Sequence, residues 1–414
     1  MKDVKLSICI PTYNREIYIR NALEYCEGYN FSFPYEIIIS DNASTDATSA
    51  VVEEFIAKGL PIRYFRRNEN GGSGRNLANA FHHAIGEYSI YLADDDLLIA
   101  SGVEDAIRYL DRNPDVVACH APWTMYDEVE GQDLSQFYDV SEDRKFVQQD
   151  FFNMFRFIFE GHVFPEIAIY RSSALRTAWV PRDFCFWAFS YLAHFLDQGA
   201  VTFLKQPFYR SVVVSKLAAT REQAGLDDVM TSWDKYRGGL EYFLYIASQR
   251  GALDMSDKAC AVYEQMCRIF TLVRMSVAIR FWYARKDFIK AYELCTRMII
   301  GGQGNHPEVV KIAETLPAMV GFQTLAHQIN STSDIDRLII SDMDDPDDIG
   351  AMLYATGMSL QVVVFPDTMA DDAGPVERCA VFLADEARRA EYVAKGYKPN
   401  LIFSEDELMR HVLI

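Results

Sequence analysis

Over the first 120 residues, apolar positions fall into short β-branched runs separated by stretches in which they recur every three or four residues. The runs VKLSICI, YEIIIS, PIRYFRR, YSIYLA and DVVACHA read as strands, and residues 16–27, 46–58, 73–85 and 101–112 between them read as helices. Local signals agree. A Ser-Thr pair precedes Asp46 and can cap a helix there, and Asn113-Pro114 ends the fourth helix. Strands alternating with helices predict a mostly parallel sheet covered on both faces, an α/β domain of nucleotide-binding type.

Residues 121–150 are acidic and read as loop. Beyond them FFNMFRFIF, EIAIYRS, a helix near 186–198 and AVTFLKQPFY extend the first domain to about residue 215 and add an edge to its sheet. From 227 to about 330 the periodicity is helical throughout, and the last 84 residues return to β-α-β order. The expected division is an α/β domain over 1–215, a helical domain over 216–330 and a small α/β module over 331–414.

Composition narrows the function. Half of the 414 residues are apolar and 13% aromatic, which suits packed cores and excludes wholesale disorder or a fibrous repeat. With 59 acidic against 40 basic residues and a net charge of −19, the chain is not built to neutralise duplex nucleic acid. The last 84 residues hold 17 acidic and 7 basic side chains, so the acidity is densest away from the first domain. The eight cysteines form no C-x-x-C pair and no zinc-type spacing, and read as reduced core residues. No secretion-type leader follows Met1, and the best membrane-like run, TLVRMSVAIRFWY, is broken by Arg274 and Arg280. The expectation is a cytoplasmic protein, at most resting on the inner face of a membrane, with peripheral membrane association and self-association left open.

In open α/β sheets, ligands bind beyond the carboxyl ends of the strands. Here those segments are polar: Pro11-Thr12-Tyr13-Asn14-Arg15, then Asp41-Asn42-Ala43-Ser44-Thr45-Asp46, then Asn68 to Asn76 with its run Gly71-Gly72-Ser73-Gly74, then Asp94-Asp95-Asp96. All four would meet on one rim. Three consecutive carboxylates at what reads as an exposed strand end repel one another unless compensated, which marks a candidate Mg²⁺ or Mn²⁺ site. A metal held there with a substrate diphosphate would neutralise a departing nucleoside diphosphate.

In this order, SICIPTYNR, EIIISDNASTDAT, NENGGSGRNLA and YLADDDLL resemble a family 2 glycosyltransferase of GT-A fold, closely to about residue 120 and more loosely to about 215. The resemblance implies a GT-A nucleotide-diphospho-sugar transferase-like mixed sheet with helices on both faces. It implies that Pro11, Thr12 and Tyr13 line the nucleoside pocket and that Asp41 accepts a hydrogen bond from the base. Arg75 would lie near base and diphosphate, Asp94 and Asp95 would face the ribose and sugar, and Asp96 would hold Mn²⁺ or Mg²⁺. The implied activity is transfer of a sugar from a UDP- or dTDP-linked donor to a hydroxyl of a saccharide or lipid-linked glycan, with inversion, as in polysaccharide biosynthesis. The alternatives are a retaining transferase and a non-catalytic nucleotide-sugar-binding or scaffolding protein.

One element departs from the family pattern. An inverting transferase needs a carboxylate near the acceptor hydroxyl, and the usual Glu-Asp pair precedes a helix that ends in Gly. Counting back from Gly199 along FWAFSYLAHFLDQG places that pair at about Trp187-Ala188, where no carboxylate stands. Glu166 is the first substitute and Asp183 the second. Arg210 and Lys216, in YRSVVVSK, are candidates to fold over the diphosphate, and His162 reads as structural. No Gly-rich phosphate loop follows DRLIISDM, so the donor site belongs to the first domain.

Overall fold

The computed structural model describes residues 4–178, 185–217, 233–343, 345–410 and 412, and the chain divides into two compact units, Met1–Cys267 and Arg268–Ile414. This boundary falls inside the segment expected as a helical domain.

In the first unit the strands β1 (Leu6–Thr12), β2 (Tyr35–Asp41), β3 (Ile62–Arg66), β4 (Tyr88–Tyr91), β5 (Leu97–Leu98) and β6 (Val116–His120) alternate with helices α1 (Glu16–Glu27), α2 (Thr48–Ala57), α3 (Ser73–His83) and α4 (Ala100–Arg112). There follow β7 (Thr124–Asp127), β8 (Gln132–Gln136), β9 (Arg144–Phe146), α5 (Phe151–Gly161), β10 (Ala168–Arg171), α6 (Ser172–Leu175), α7 (Trp187–Gln198), β11 (Ala200–Phe203) and β12 (Tyr209–Val214). Eight strands form one sheet in the order β3-β2-β1-β4-β10-β6-β11-β9, and four form a second in the order β5-β12-β7-β8. β1 is buried at every position from Leu6 to Ile10, as a strand covered on both faces must be.

Two features differ from the sequence reading. Segment 121–150 is not loop throughout, since β7, β8 and β9 lie in it; β8 is polar and largely exposed, so no hydrophobic pattern marks it. The segment EIAIY adds no edge. Its strand β10 enters the middle of the sheet, antiparallel to both β4 and β6.

Helix α4 packs tightly onto the approach to β12. A Cβ at Gly102 would come within 2.3 Å of the Pro207 carbonyl oxygen and 2.9 Å of the Phe208 Cα. Ala in place of Gly normally stabilises a helix interior. At this contact Gly102→Ala is expected instead to destabilise by about 1–3 kcal/mol through overpacking, read as a lower urea midpoint.

Helix Trp233–Gln249 lies against α7 and α5, with Phe243 stacked on Phe155 and edge-on to Phe151. The second unit carries helices Phe288–Met298, Leu316–Asn330 and Pro346–Ala355 and a parallel sheet of β13 (Arg337–Ser341), β14 (Val363–Pro366), β15 (Cys379–Leu383) and β16 (Ile402–Ser404), ordered β14-β13-β15-β16. Alternation along β13 splits its core in two: Leu338 and Ile340 join Leu353 and Phe382, while Ile339 joins Val381 and Tyr392. No helix among the described residues is long and apolar enough to cross a membrane, and all eight cysteines are free thiols.

Candidate active site

Strand register sets the site. Thr12 stands opposite Asp41 and Asp41 opposite Arg66 at the carboxyl ends of β1, β2 and β3. Cys9 pairs with Tyr91, so continuing three residues brings Thr12 beside Asp94, and the Thr12 hydroxyl donates to Asp94 Oδ2 at 2.7 Å. Because β10 runs antiparallel to β4, with Ile169 opposite Ile90, its entry lies on the same rim, and Glu166 stands two residues before that entry. Across adjacent strands about 4.8 Å apart the rim thus reads Arg66, Asp41, Thr12 and Asp94, with the entry to β10, just after Glu166, on the next strand.

Amide side chains lace the rim loops together. Buried Asn76, in the first turn of α3, donates to the Thr12 and Ser40 carbonyls at 3.1 and 2.9 Å and accepts from the Ser40 hydroxyl at 2.7 Å. Asn42 accepts from Arg67 and from the Gly71 amide and donates to Asn70. Asn14 adopts a left-handed φ of 50° and accepts from the Thr45 amide at 2.7 Å, tying the loop after β1 to the loop after β2. This explains the Asn-rich composition of loops that pattern alone marks only as polar.

Asp41 is 0% exposed. Its Oδ1 accepts from the Ser44 amide at 2.8 Å and its Oδ2 from the Tyr64 hydroxyl at 2.6 Å, with the Arg66 guanidinium 3.7 Å away. Burial, and then the bond to Asp41, pushes the Tyr64 phenol up and keeps it a donor.

The acidic triplet is not at an exposed strand end. Asp94 and Asp96 are 6% and 8% exposed. Arg15, a residue the sequence reading left without a role, answers the first two carboxylates: its Nε lies 3.1 Å from Asp94 Oδ1, its guanidinium bonds Asp95, and it stacks 4.2 Å over Tyr18. Its signal in the sequence is its place directly after the first rim loop. Burial first, and the charge of Asp95 next, push the Asp94 carboxyl upward against the pull of Arg15 and Thr12. Asp96 turns to β12, where Tyr209 donates to its Oδ2 and the Val212 amide to its Oδ1, both at 2.9 Å.

The other expected residues fall as follows. Pro11 is half-buried in β1, Tyr13 is exposed beyond it, and Arg75 is exposed in the first turn of α3, with no ion pair among the described residues. Glu166 is half-buried, and its charge reaches the buried Tyr138 phenol. Asp183 lies outside the described residues. Arg210 does not stand open for a diphosphate: it forms a two-pronged pair with Asp133 at 2.6 and 2.8 Å and covers the Tyr126 ring. Lys216 is likewise turned to Glu128, 3.5 Å away.

A cavity of about 730 Å³ opens beside the Asp41 end of the rim, lined by Tyr64, Phe65, Arg66, Asn68, Asn79 and His83 among others. Among the described residues no three His, Cys, Asp or Glu side chains are grouped to cage a metal. A Mg²⁺-type ion needs fewer, commonly one or two carboxylates completed by substrate phosphates and water. Among the described residues three carboxylates face one guanidinium, a balance that suits such an ion, and a carboxylate oxygen has two lone pairs, so one hydrogen bond does not bar it from ligation.

Residues 7–179 match the model of Glycosyl transferase family 2. Among curated proteins the chain is similar to the abequosyltransferase RfbV of Salmonella typhimurium, 33% identical over 144 residues, which are 34% of this chain and 43% of that protein. It is also similar to the GalNAc(5)-diNAcBac-PP-undecaprenol beta-1,3-glucosyltransferase of Campylobacter jejuni, 34% identical over 105 residues, 25% of this chain and 34% of that protein. The chain thus spans less than half the length of these relatives. Among solved structures it is similar to S. aureus TarS 1-349, with a TM-score of 0.47 and 20% identity over 78% of this chain and 86% of that one.

Proposed function

We propose that the protein is a metal-dependent, inverting glycosyltransferase that takes a UDP- or dTDP-sugar as donor and a hydroxyl of a saccharide or lipid-linked glycan as acceptor. The observation that carries this reading is the rim itself, where Asp41, Thr12 and Asp94 come together and the antiparallel β10 enters just after Glu166, within the segment that matches family 2. The relatives' names support the acceptor class, one of them naming an undecaprenol-linked glycan.

In this reading the base enters by the cavity beside Asp41, with Tyr13 and Pro11 flanking the nucleoside and Arg75 near the diphosphate. Asp94 and Asp95, held by Arg15, would face the ribose and sugar, and Asp96 would hold Mn²⁺ or Mg²⁺. The bound ion would supply charge neutralisation to the departing nucleoside diphosphate. The acceptor oxygen attacks the anomeric carbon from the face opposite the diphosphate. The bond from that carbon to the diphosphate oxygen breaks, its electron pair leaves with the diphosphate, and Glu166 takes the acceptor proton. Arg210 and Lys216 take part only if their pairs with Asp133 and Glu128 open. We keep 1–215 as the donor-binding domain; of the helical segment 216–330, helix Trp233–Gln249 packs on that domain and helix Leu316–Asn330 shares a core with the α/β module 331–414.

The test is donor hydrolysis and thermal shift with UDP, dTDP, GDP and their sugars, with Mn²⁺ or EDTA. A rise in Tm with UDP or dTDP plus Mn²⁺, accompanied by slow donor hydrolysis, is expected. Absence of any nucleotide-dependent shift overturns the reading.

Asp41 has its own test. Asp41→Asn replaces an acceptor by an amide whose N–H₂ opposes an imide N–H, and should weaken UDP binding in EDTA by about 1.5–3 kcal/mol, the range for hydrogen bonds to charged groups. Retained UDP affinity together with a lower Tm would show that Asp41 only anchors the loop through Ser44 and Tyr64.

A further inference from the structure

The acidic triplet sits on a tight turn, closed from within by the Asp96 amide on the Ala93 carbonyl at 3.2 Å. A carboxylate on such a turn has several rotamers, and what selects one here comes from more than a hundred residues further along the chain. Tyr209, 1% exposed, bridges the two ends of the turn with one hydroxyl: it accepts from the Ala93 amide at 3.1 Å and donates to Asp96 Oδ2 at 2.9 Å. Three residues on, the Val212 amide takes Asp96 Oδ1 at 2.9 Å. Both oxygens of Asp96 are therefore directed by one strand.

That strand is itself anchored. β5, which follows the triplet directly, pairs antiparallel with β12, Leu98 opposite Tyr209 and Leu97 opposite Arg210. The Ile99 amide donates to the Phe208 carbonyl at 3.0 Å, and Gly102 of α4 lies against Phe208 with no room for a Cβ. On its other side β12 pairs with β7. The turn is thus clamped to a small sheet of its own, separate from the eight-stranded sheet that presents it.

Building on the reading of Asp96 as the metal-holding carboxylate, we infer that Tyr209 is a positioning residue for the divalent cation: its hydroxyl fixes the direction in which Asp96 offers its lone pairs to the rim. The physical reason is that a ligating carboxylate held by donors in its outer shell loses little rotamer freedom when it binds, and substitutions of such outer partners commonly cost ten- to a hundredfold in metal affinity. Phenylalanine keeps the ring that fills the core and removes only the bridge.

The experiment measures Mn²⁺ binding by electron paramagnetic resonance, in the presence of UDP, for the wild-type chain and for Tyr209→Phe, together with UDP affinity in EDTA. The expected result is an Mn²⁺ dissociation constant raised at least about tenfold in Tyr209→Phe with unchanged metal-free UDP affinity. Equal Mn²⁺ affinity in the two proteins overturns the inference and leaves the metal reading standing. Equal losses of Mn²⁺ and metal-free UDP affinity also overturn it, by showing that the hydroxyl merely supports the fold. If the wild-type chain with UDP binds no Mn²⁺, the metal reading itself fails and takes the inference with it. Should Tyr209→Phe not fold, hydrogen exchange of the wild-type chain decides: Mn²⁺ with UDP is expected to slow exchange of the 209–214 amides, and unchanged exchange there overturns the inference.

Discussion

Asp96→Asn is expected to abolish metal-supported sugar transfer, with turnover falling by at least about 10³-fold at saturating donor and Mn²⁺. The substitution removes one full negative charge from a carboxylate cluster whose only close cation among the described residues, Arg15, is already committed to Asp94 and Asp95. A neutral amide is a far weaker ligand for a hard divalent ion, and the ion's share in stabilising the leaving diphosphate goes with it. The structure adds a cost that an exposed carboxylate would not have. The introduced side-chain amide can still accept from the Val212 amide through its oxygen, yet its nitrogen cannot accept from the Tyr209 hydroxyl, so a buried donor is left without its partner. A loss of about 1–3 kcal/mol in stability should accompany the loss of turnover. The two effects separate by measurement. Metal-free UDP affinity should stay near wild type if the fold is kept, while Mn²⁺ no longer strengthens UDP binding. Wild-type turnover of Asp96→Asn at limiting Mn²⁺ would remove Asp96 from the metal site.

How far the chain could be read without coordinates follows from the range of the interactions involved. Strands and helices to residue 120 are set by local patterns, and β1, β2 and β4 appear where their β-branched runs stand. The rim was legible because parallel strands align their carboxyl ends whatever their order. What sequence pattern could not give was the partner of each charge. Asp96 reads as a surface carboxylate until β12, 113 and 116 positions away, covers it. Arg210 and Lys216 read as cations open for phosphate until the acidic segment after residue 121, itself read as loop, supplies Asp133 and Glu128 to hold them. Arg15 was visible in the first motif but its use depends on the β1/β4 register. The direction of β10 was also hidden, although its run AIYR, buried at three of four positions, carries the signature of an interior strand more than of an edge.

Glu166→Gln should lower turnover by about 10²–10⁴-fold while leaving donor affinity nearly unchanged, because a general base acts on the acceptor proton in the transition state and does not contact the bound nucleotide. Of the two sequence candidates only Glu166 lies among the described residues, and the direction of β10 is what supports it. A parallel strand in that place would start at the opposite edge of the sheet, about four residues or roughly 13 Å from the rim. Running antiparallel, β10 starts at the rim, one strand beyond β4, with Glu166 two residues before that start. From there a carboxylate lies on the side of Asp94 away from Asp41, which is the side an acceptor must use if the nucleoside occupies the Asp41 end. Gln keeps the size and hydrogen-bonding reach of Glu and loses only its basicity, so the fold should be spared. Three measurements check this: kcat and KM for donor, metal-free UDP affinity, and the pH profile of kcat, whose acidic limb should vanish in the variant. Parallel assay of Asp183→Asn identifies the base if Glu166→Gln is silent. Near-wild-type turnover in both variants would leave no side-chain base for in-line displacement among the sequence candidates, and the retaining course would then replace inversion as the reading of this site.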